Sequence, residues 1–423
     1  MFDQLFTSSR GLAAHQNGPV AEERRRYLAH CASLQMTPGA LRVIAVYTLI
    51  IARTLRLADR PSQLFTHPDI EAGASRYVKL ADRRRHPKEP MKRKGGCLWY
   101  SFKTYATRWL KFMGRLHIPR ENQRPYADQI ARFGEYMHRE RGLSPETIAY
   151  STRTMQQFLK EVDDAGLRLK TLTVAQVNDL LAKKTQDHRY TRKTVRRWAG
   201  VLRPFFRFAE ARGWCRGGLA NGIATPRVYQ HEDLPIGPSW DDVKSLLGAA
   251  EGDRPTDVRD RAILMLLAVY GLRGGEVRAL RLEDLDWQQE VLIVRHDKQK
   301  KARTYPLCRS VGDAVLRYLR EVRPGTDHRE VFLTRVAPFR PLGRGGLKSI
   351  ARNRLLALGL KLPHYGSHVL RHACATHLLA QGLSLKEIGD HLGHRSPQTT
   401  RIYAKVDLNA LRTVGDFELE GLL

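Results

Sequence analysis

The chain has 423 residues and a formal charge of +29, from 72 Lys+Arg against 43 Asp+Glu. Hydrophobic residues make up 42%, enough for two or three domains with their own cores, which excludes a disordered basic tail. The excess charge is spread along the chain and points to a long polyanion as partner, while no apolar run reaches membrane-spanning length.

The N-terminus lacks the basic-then-apolar pattern of an export signal. Cys31, Cys97, Cys215, Cys308 and Cys374 are odd in number and scattered, without a CxxC pair, so neither a disulfide framework nor a zinc knuckle is expected. The expected compartment is reducing: a bacterial-type cytoplasm, with the chain associated with the nucleoid. Residues 1–95 are hard to read. An apolar pattern from Leu41 to Ala52 predicts one buried helix, and a basic stretch broken by Pro87 and Pro90 runs to Gly96. That stretch is either a solvated linker or a phosphate-contacting arm.

Residues 96–228 read as a helical domain. Trp99, Tyr100, Phe102, Tyr105 and Trp109 recur at helical spacing, as do Ile130, Phe133, Tyr136 and Met137. Ser144 as N-cap and Pro145 in the first position open a helix through Val162, and another begins near Thr173. In the next helix Val195, Trp198, Val201, Leu202, Phe205, Phe206 and Phe208 form an apolar face. Arg192, Lys193, Arg196, Arg203 and Arg207 oppose it, with no acid between 191 and 207. The aromatics are expected in the core and the cations on backbone phosphates, a merely solvated face being the plainer alternative.

A Gly- and Pro-rich stretch, 213–239, marks a domain boundary, and residues 229–423 form the last domain. Helices are predicted over 240–249 and 259–269, then a turn at Gly271 and a short helix from Glu276 to Leu280. Val291–Val294 and Arg303–Leu307 read as strands joined by a basic hairpin.

This last domain carries the chemistry. Arg273 stands at a helix start, where backbone donors favour an anion, and Arg371 follows His368 by three residues on one helix face. Two guanidiniums converging on a phosphate would stabilise a pentacovalent transition state. Lys298, beside Lys300 and Lys301, is suited to protonate a leaving oxygen, and the latter two to touching phosphate. His368 and His394 can donate to phosphate or take a proton. His372, His377 and His391 raise a metal alternative, but HExxH is absent and only Glu387 and Asp390 are near, so no metal or cofactor is expected. Tyr403 attacking phosphorus would conserve the bond energy covalently, so rejoining needs no ATP, and no P-loop is present.

Four ordered boxes resemble those of the tyrosine recombinases, the phage-integrase and Xer-like family, over about residues 97–415. Gly271–Val277 resembles the first-arginine box and Asp297–Leu307 the lysine hairpin. His368–His372 resembles the His-x-x-Arg box and Leu392–Val406 the histidine-to-tyrosine segment. The resemblance implies a mainly α fold with a small antiparallel β-sheet in the catalytic domain, preceded by a helical, SAM-like core-binding domain. It implies that Arg273, Arg371 and His394 hold the scissile phosphate, Lys298 is the general acid, His368 assists proton transfer, and Tyr403 forms a 3′-phosphotyrosyl bond. It further implies double-stranded DNA with specific recombination sites as partner, and a homotetramer that exchanges C-terminal tails. Gly275 departs from the serine common at its place. Residues 1–95 exceed a minimal Xer-like chain, which fits an arm-type DNA-binding region or an addition of transposon-borne members. Leu408, Leu411, Val414 and Phe417 suggest a tail helix that packs on its own domain or docks on a neighbouring protomer. The alternatives are a type IB-like topoisomerase and a non-catalytic DNA-binding protein of this fold.

Overall fold

Polar residues just before apolar runs start the helices here. Ser144, Thr191, Ser239 and Ser384 each accept from the amide three residues on, at 3.1–3.4 Å, which satisfies a donor the helix leaves open. The computed structural model describes residues 1–83, 94–117, 126–186, 190–228, 237–295, 302–394 and 396–406. By packing the chain divides into two units, one of Met1–Leu116 with Asp233–Leu423, the other of His117–Glu232.

The N-terminal region contains α1 (Phe2–Leu5), α2 (Ser9–Gln16), α3 (Ala21–Ser33), α4 (Pro38–Thr54), α5 (His67–Arg83) and α6 (Lys94–Phe112). Its core joins Leu28, Ile44, Ile51 and Phe65 to Phe102, Ala106, Trp109 and Leu110 of α6. Two findings depart from the sequence reading. Residues 1–95 hold several helices where one was predicted, and the α6 aromatics pack with them instead of with the helical domain downstream. Helical spacing defines a buried face but not its partner. The helix α3 escaped notice because residues 22–26 are all charged. Arg24 among them is fully buried, donating to the carbonyls of Pro19 at 3.0 Å and His15 at 2.6 Å.

The second unit contains α7 (Ala127–Arg139), α8 (Pro145–Asp164), α9 (Val174–Gln186), α10 (Arg192–Glu210) and α11 (Leu219–Gly222). Phe133, Phe158, Trp198, Phe205 and Phe206 are buried together, each such ring stabilising by roughly 2–3 kcal/mol. On the other side of α10, Arg192, Lys193, Arg196 and Arg207 are exposed and Arg203 is half-buried. Arg203 donates to the carbonyl of Ile223 at 2.8 Å and Arg196 to that of Val228 at 3.3 Å, so these two also hold the segment leaving the unit.

The C-terminal region contains α12 (Trp240–Gly248), α13 (Pro255–Val269), α14 (Gly274–Ala279), β1 (Leu285–Asp286), β2 (Val291–Arg295) and β3 (Ala302–Pro306). It continues with α15 (Arg309–Glu321), α16 (Arg344–Ala357), α17 (Ser367–Ala380), α18 (Leu385–Leu392), α19 (Pro397–Thr400) and a 3₁₀ segment, Arg401–Val406. The central helix α13 is apolar almost all round. Its two inward acids are paired, Asp257 with Arg254 and Arg354, Asp260 with Arg259 and Arg354. The sheet is antiparallel in the order β1-β2-β3, with Leu292 opposite Tyr305 and Val294 opposite Arg303. Lys298, Lys300, Lys301 and the tail residues Leu408, Leu411, Val414 and Phe417 lie outside the described residues, as does most of the basic stretch before Gly96. Among the described residues no helix is long and apolar enough to cross a membrane.

Candidate active site

Three chain segments meet here: the turn into α14, the helix α17, and the stretch from the end of α18 to the 3₁₀ segment. Gly271 takes φ +59°, and a Cβ there would lie 2.5 Å from Leu392 Cδ2 and 3.2 Å from Cys374 Sγ, so the turn needs glycine twice over. The Gly271 carbonyl accepts from Arg371 Nη1 at 2.6 Å, and Arg371 Nη2 donates to the carbonyl of Leu392 at 2.7 Å. Arg273 Nη2 donates to the next carbonyl, that of Gly393, at 3.0 Å. The two arginines, 98 positions apart in the chain, thus close on adjacent peptides just before His394.

Glu276 organises the arginines. Its carboxylate accepts from the Arg273 amide at 2.8 Å, from Arg273 Nη1 at 2.9 Å and from Arg303 Nη2 at 2.6 Å. Burial pushes this carboxyl up, but the Arg273 amide and the charges of Arg303 and Arg273 outweigh it and hold the group below the usual range. The backbone donor expected to be open to an anion at Arg273 is therefore taken by Glu276. Arg303 also donates to Tyr305 Oη at 2.7 Å and to the carbonyl of His391 at 3.2 Å. Gly393, at φ +65°, leaves room for it, since a Cβ there would lie 2.5 Å from Arg303 Nη1. Three guanidiniums against one carboxylate leave the cluster net positive, suited to an anion.

The histidines and the tyrosine complete it. Tyr403 is 1% exposed, packed on Cys374, Ala375, Ile388 and Leu392, and its hydroxyl lies 2.9 Å from His372 Nδ1. The ring of His372 meets that of His368 edge-on at 4.4 Å. His394 Nδ1 is 2.7 Å from Thr400 Oγ1, and its ring lies nearly parallel to that of Tyr403 at 6.4 Å. Burial, then the Arg371 and Arg273 charges, pull His394 down to about 4. Burial, then His368 and Arg371, do the same for His372. His368 is lowered by burial and the same two arginines. Burial pushes the Tyr403 phenol up to about 12. At neutral pH the tyrosine thus keeps its proton while the histidine rings beside it are neutral.

Of the residues singled out from sequence, Arg273, His368, Arg371, His394 and Tyr403 come together. The strand that follows Lys298, Lys300 and Lys301 is tied to the cluster through Arg303. Arg192, Lys193, Arg196, Arg203 and Arg207 belong to the other unit. Sequence reasoning assigned no role to Glu276 or Arg303 and saw His372 only as a possible metal ligand. The signals were there: Glu276 stands three residues after Arg273 and His372 four after His368, both helical spacings.

The description "Phage integrase family" matches residues 239–409, and "Phage integrase, N-terminal SAM-like domain" matches residues 130–213. The chain is 36% identical to y4rA of Sinorhizobium fredii, a protein named as an integrase/recombinase, over 67% of this chain and 69% of that one. It is 31% identical to the tyrosine recombinase XerC of Syntrophus aciditrophicus, over 68% of this chain and 96% of that one. The XerH site-specific recombinase, solved bound to palindromic difH substrate, shares the fold at 16% identity. Its TM-score is 0.55, and the match covers 83% of this chain and 96% of that one. The chain belongs to the tyrosine recombinases of the phage integrase family.

Proposed function

We propose that Tyr403 is the nucleophile of a site-specific recombinase that cleaves and rejoins DNA strands through a 3′-phosphotyrosyl bond. Arg273, Arg371 and His394 hold the scissile phosphate, and Lys298 protonates the departing 5′ oxygen. The observation that carries this reading is the closure of both arginines on the peptides 392–393, beside Tyr403 and within one chain. It favours attack by each protomer's own tyrosine. A phosphodiester brings one negative charge to a net-positive cluster, and the pentacovalent transition state brings a second, so stabilisation grows along the reaction.

Double-stranded DNA is the partner this chemistry requires. The exposed cations of α10, with Lys300 and Lys301, grip its backbone, and the N-terminal region serves as an additional arm. A homotetramer on paired sites, linked by tail exchange, fits two rounds of strand transfer; a tail-deleted protein that still assembles normally on DNA overturns the exchange. Activity belongs in the bacterial cytoplasm, at the nucleoid. The deciding test is covalent trapping on nicked site DNA. Wild type should become DNA-linked and Tyr403→Phe should not, and a DNA-linked Tyr403→Phe protein rules the assignment out.

A further inference from the structure

A phenol with its pKa near 12 cannot attack phosphorus at neutral pH unless something takes its proton. Bulk water does not reach the 1%-exposed Tyr403, enclosed by Cys374, Ala375, Ile388 and Leu392. Arg371 has no acceptor atom and so cannot take a proton; two of its five N–H donors go to the carbonyls of Gly271 and Leu392. The Nδ1 of His394 is engaged with Thr400. The ring nitrogen that meets the Tyr403 hydroxyl is His372 Nδ1, at 2.9 Å, whereas His368 touches the ring of His372.

We propose that His372, and not His368, takes the proton of Tyr403 during strand cleavage and returns it during rejoining. This rests on the reading of Tyr403 as nucleophile. As the Tyr403 oxygen bonds to phosphorus, its O–H bond breaks and the proton goes to the lone pair of His372 Nδ1, giving an imidazolium. The P–O5′ electron pair leaves with the 5′ oxygen, which takes a proton from Lys298. In rejoining, the 5′ hydroxyl gives its proton to Lys298 and attacks phosphorus, and the departing Tyr403 oxygen recovers its proton from His372.

The surroundings time this transfer. His372 is faced by His368 and Arg371 from its own helix and by Tyr403 and His394 from the segment packed on it. Without substrate these neighbours keep His372 neutral, and in the tautomer protonated at Nε2 its Nδ1 lone pair faces the phenol. A bound phosphodiester, and then the transition state's second negative charge, offset the cations. They raise the ring's proton affinity as the phenol gives its proton up.

The test uses the full chain on its own recombination site, mapped from the junctions the wild-type protein makes. The scissile 5′ oxygen is replaced by sulfur, so that the thiolate leaves without an acid and only the nucleophile's proton is in play. Covalent complex formation is timed from about pH 6 to about pH 9 for wild type, His372→Asn and His368→Asn, with thermal melting of each. Asparagine keeps an acceptor oxygen near the Nδ1 position but cannot take a proton. Wild type and His368→Asn should show flat profiles. His372→Asn should be about 10²-fold slower near neutrality and gain about tenfold per pH unit as the phenol itself ionises. Difluorotyrosine at 403, a more acidic phenol, should restore about tenfold or more in His372→Asn, which a merely misfolded site would not show. A flat His372→Asn profile within about threefold of wild type overturns the proposal, as does hydroxide dependence in His368→Asn instead. Hydroxide dependence in wild type overturns it whether or not His372→Asn folds. If wild type forms no covalent complex at all, it is the nucleophile assignment that falls.

Discussion

The same side chain, arginine, works in two unlike settings in this chain. On α10 the guanidiniums of Arg192 and Arg207 are exposed to water, where each charge is screened and replaceable. Around Tyr403 the guanidiniums of Arg273, Arg303 and Arg371 are bonded to named carbonyls and to Glu276, in a site largely closed to solvent. Surface cations can supply affinity whatever their precise position. Chemistry at phosphorus requires donors that need not reorganise, and only the second setting provides them.

That contrast breaks first at Tyr403. Tyr403→Phe should lose covalent complex entirely while DNA binding by gel shift persists; a loss of binding instead would mean that the tyrosine is structural. Arg371→Lys comes next. Lysine cannot span the carbonyls of Gly271 and Leu392 as the fork does, so cleavage should fall about 10²-fold or more. Stability, by chemical denaturation, should drop by about 1–3 kcal/mol as a buried carbonyl loses its donor. A lysine variant as active as wild type would remove the distinction between fixed and replaceable cations.

Glu276→Gln tests the anchor of the second setting. The folded carboxyl titrates below its unfolded value, so its stabilisation is fully present above the unfolded pKa and is lost as pH falls through the folded one. Melting curves of wild type and Glu276→Gln should therefore differ most near neutral pH and converge in acid. A gap that stays constant down to about pH 3 contradicts this linkage. The smallest effect belongs to α10. Arg192→Ala or Arg207→Ala should lower the slope of log affinity against log salt by about one each, alike for all sequences, leaving cleavage at saturating DNA unchanged. A cleavage defect there at saturation would show that α10 also positions the phosphate.

Much of this was readable from residue order. Ser144 announces a helix start because a capping oxygen acts within three residues. Arg273, His368, Arg371, His394 and Tyr403 were legible because the four ordered boxes that hold them resemble those of the tyrosine recombinases. Among the N-terminal helices α4 was readable from its apolar pattern, but α3 was not, since Arg24 is buried by carbonyls that only folding delivers. Nor was the partner of α6, whose aromatic face would suit either neighbouring core.

The amino-acid sequence by itself determined the reacting groups, the helix caps and the glycines at 271 and 393, because these depend on local backbone geometry and intrinsic chemistry. Tertiary structure alone decided that Glu276 ties Arg273 to Arg303, that Arg273 and Arg371 end on neighbouring peptides, and that the Tyr403 hydroxyl meets His372. Those are contacts between segments far apart in the chain, and no periodicity or spacing encodes which of several buried histidines comes to lie against the phenol.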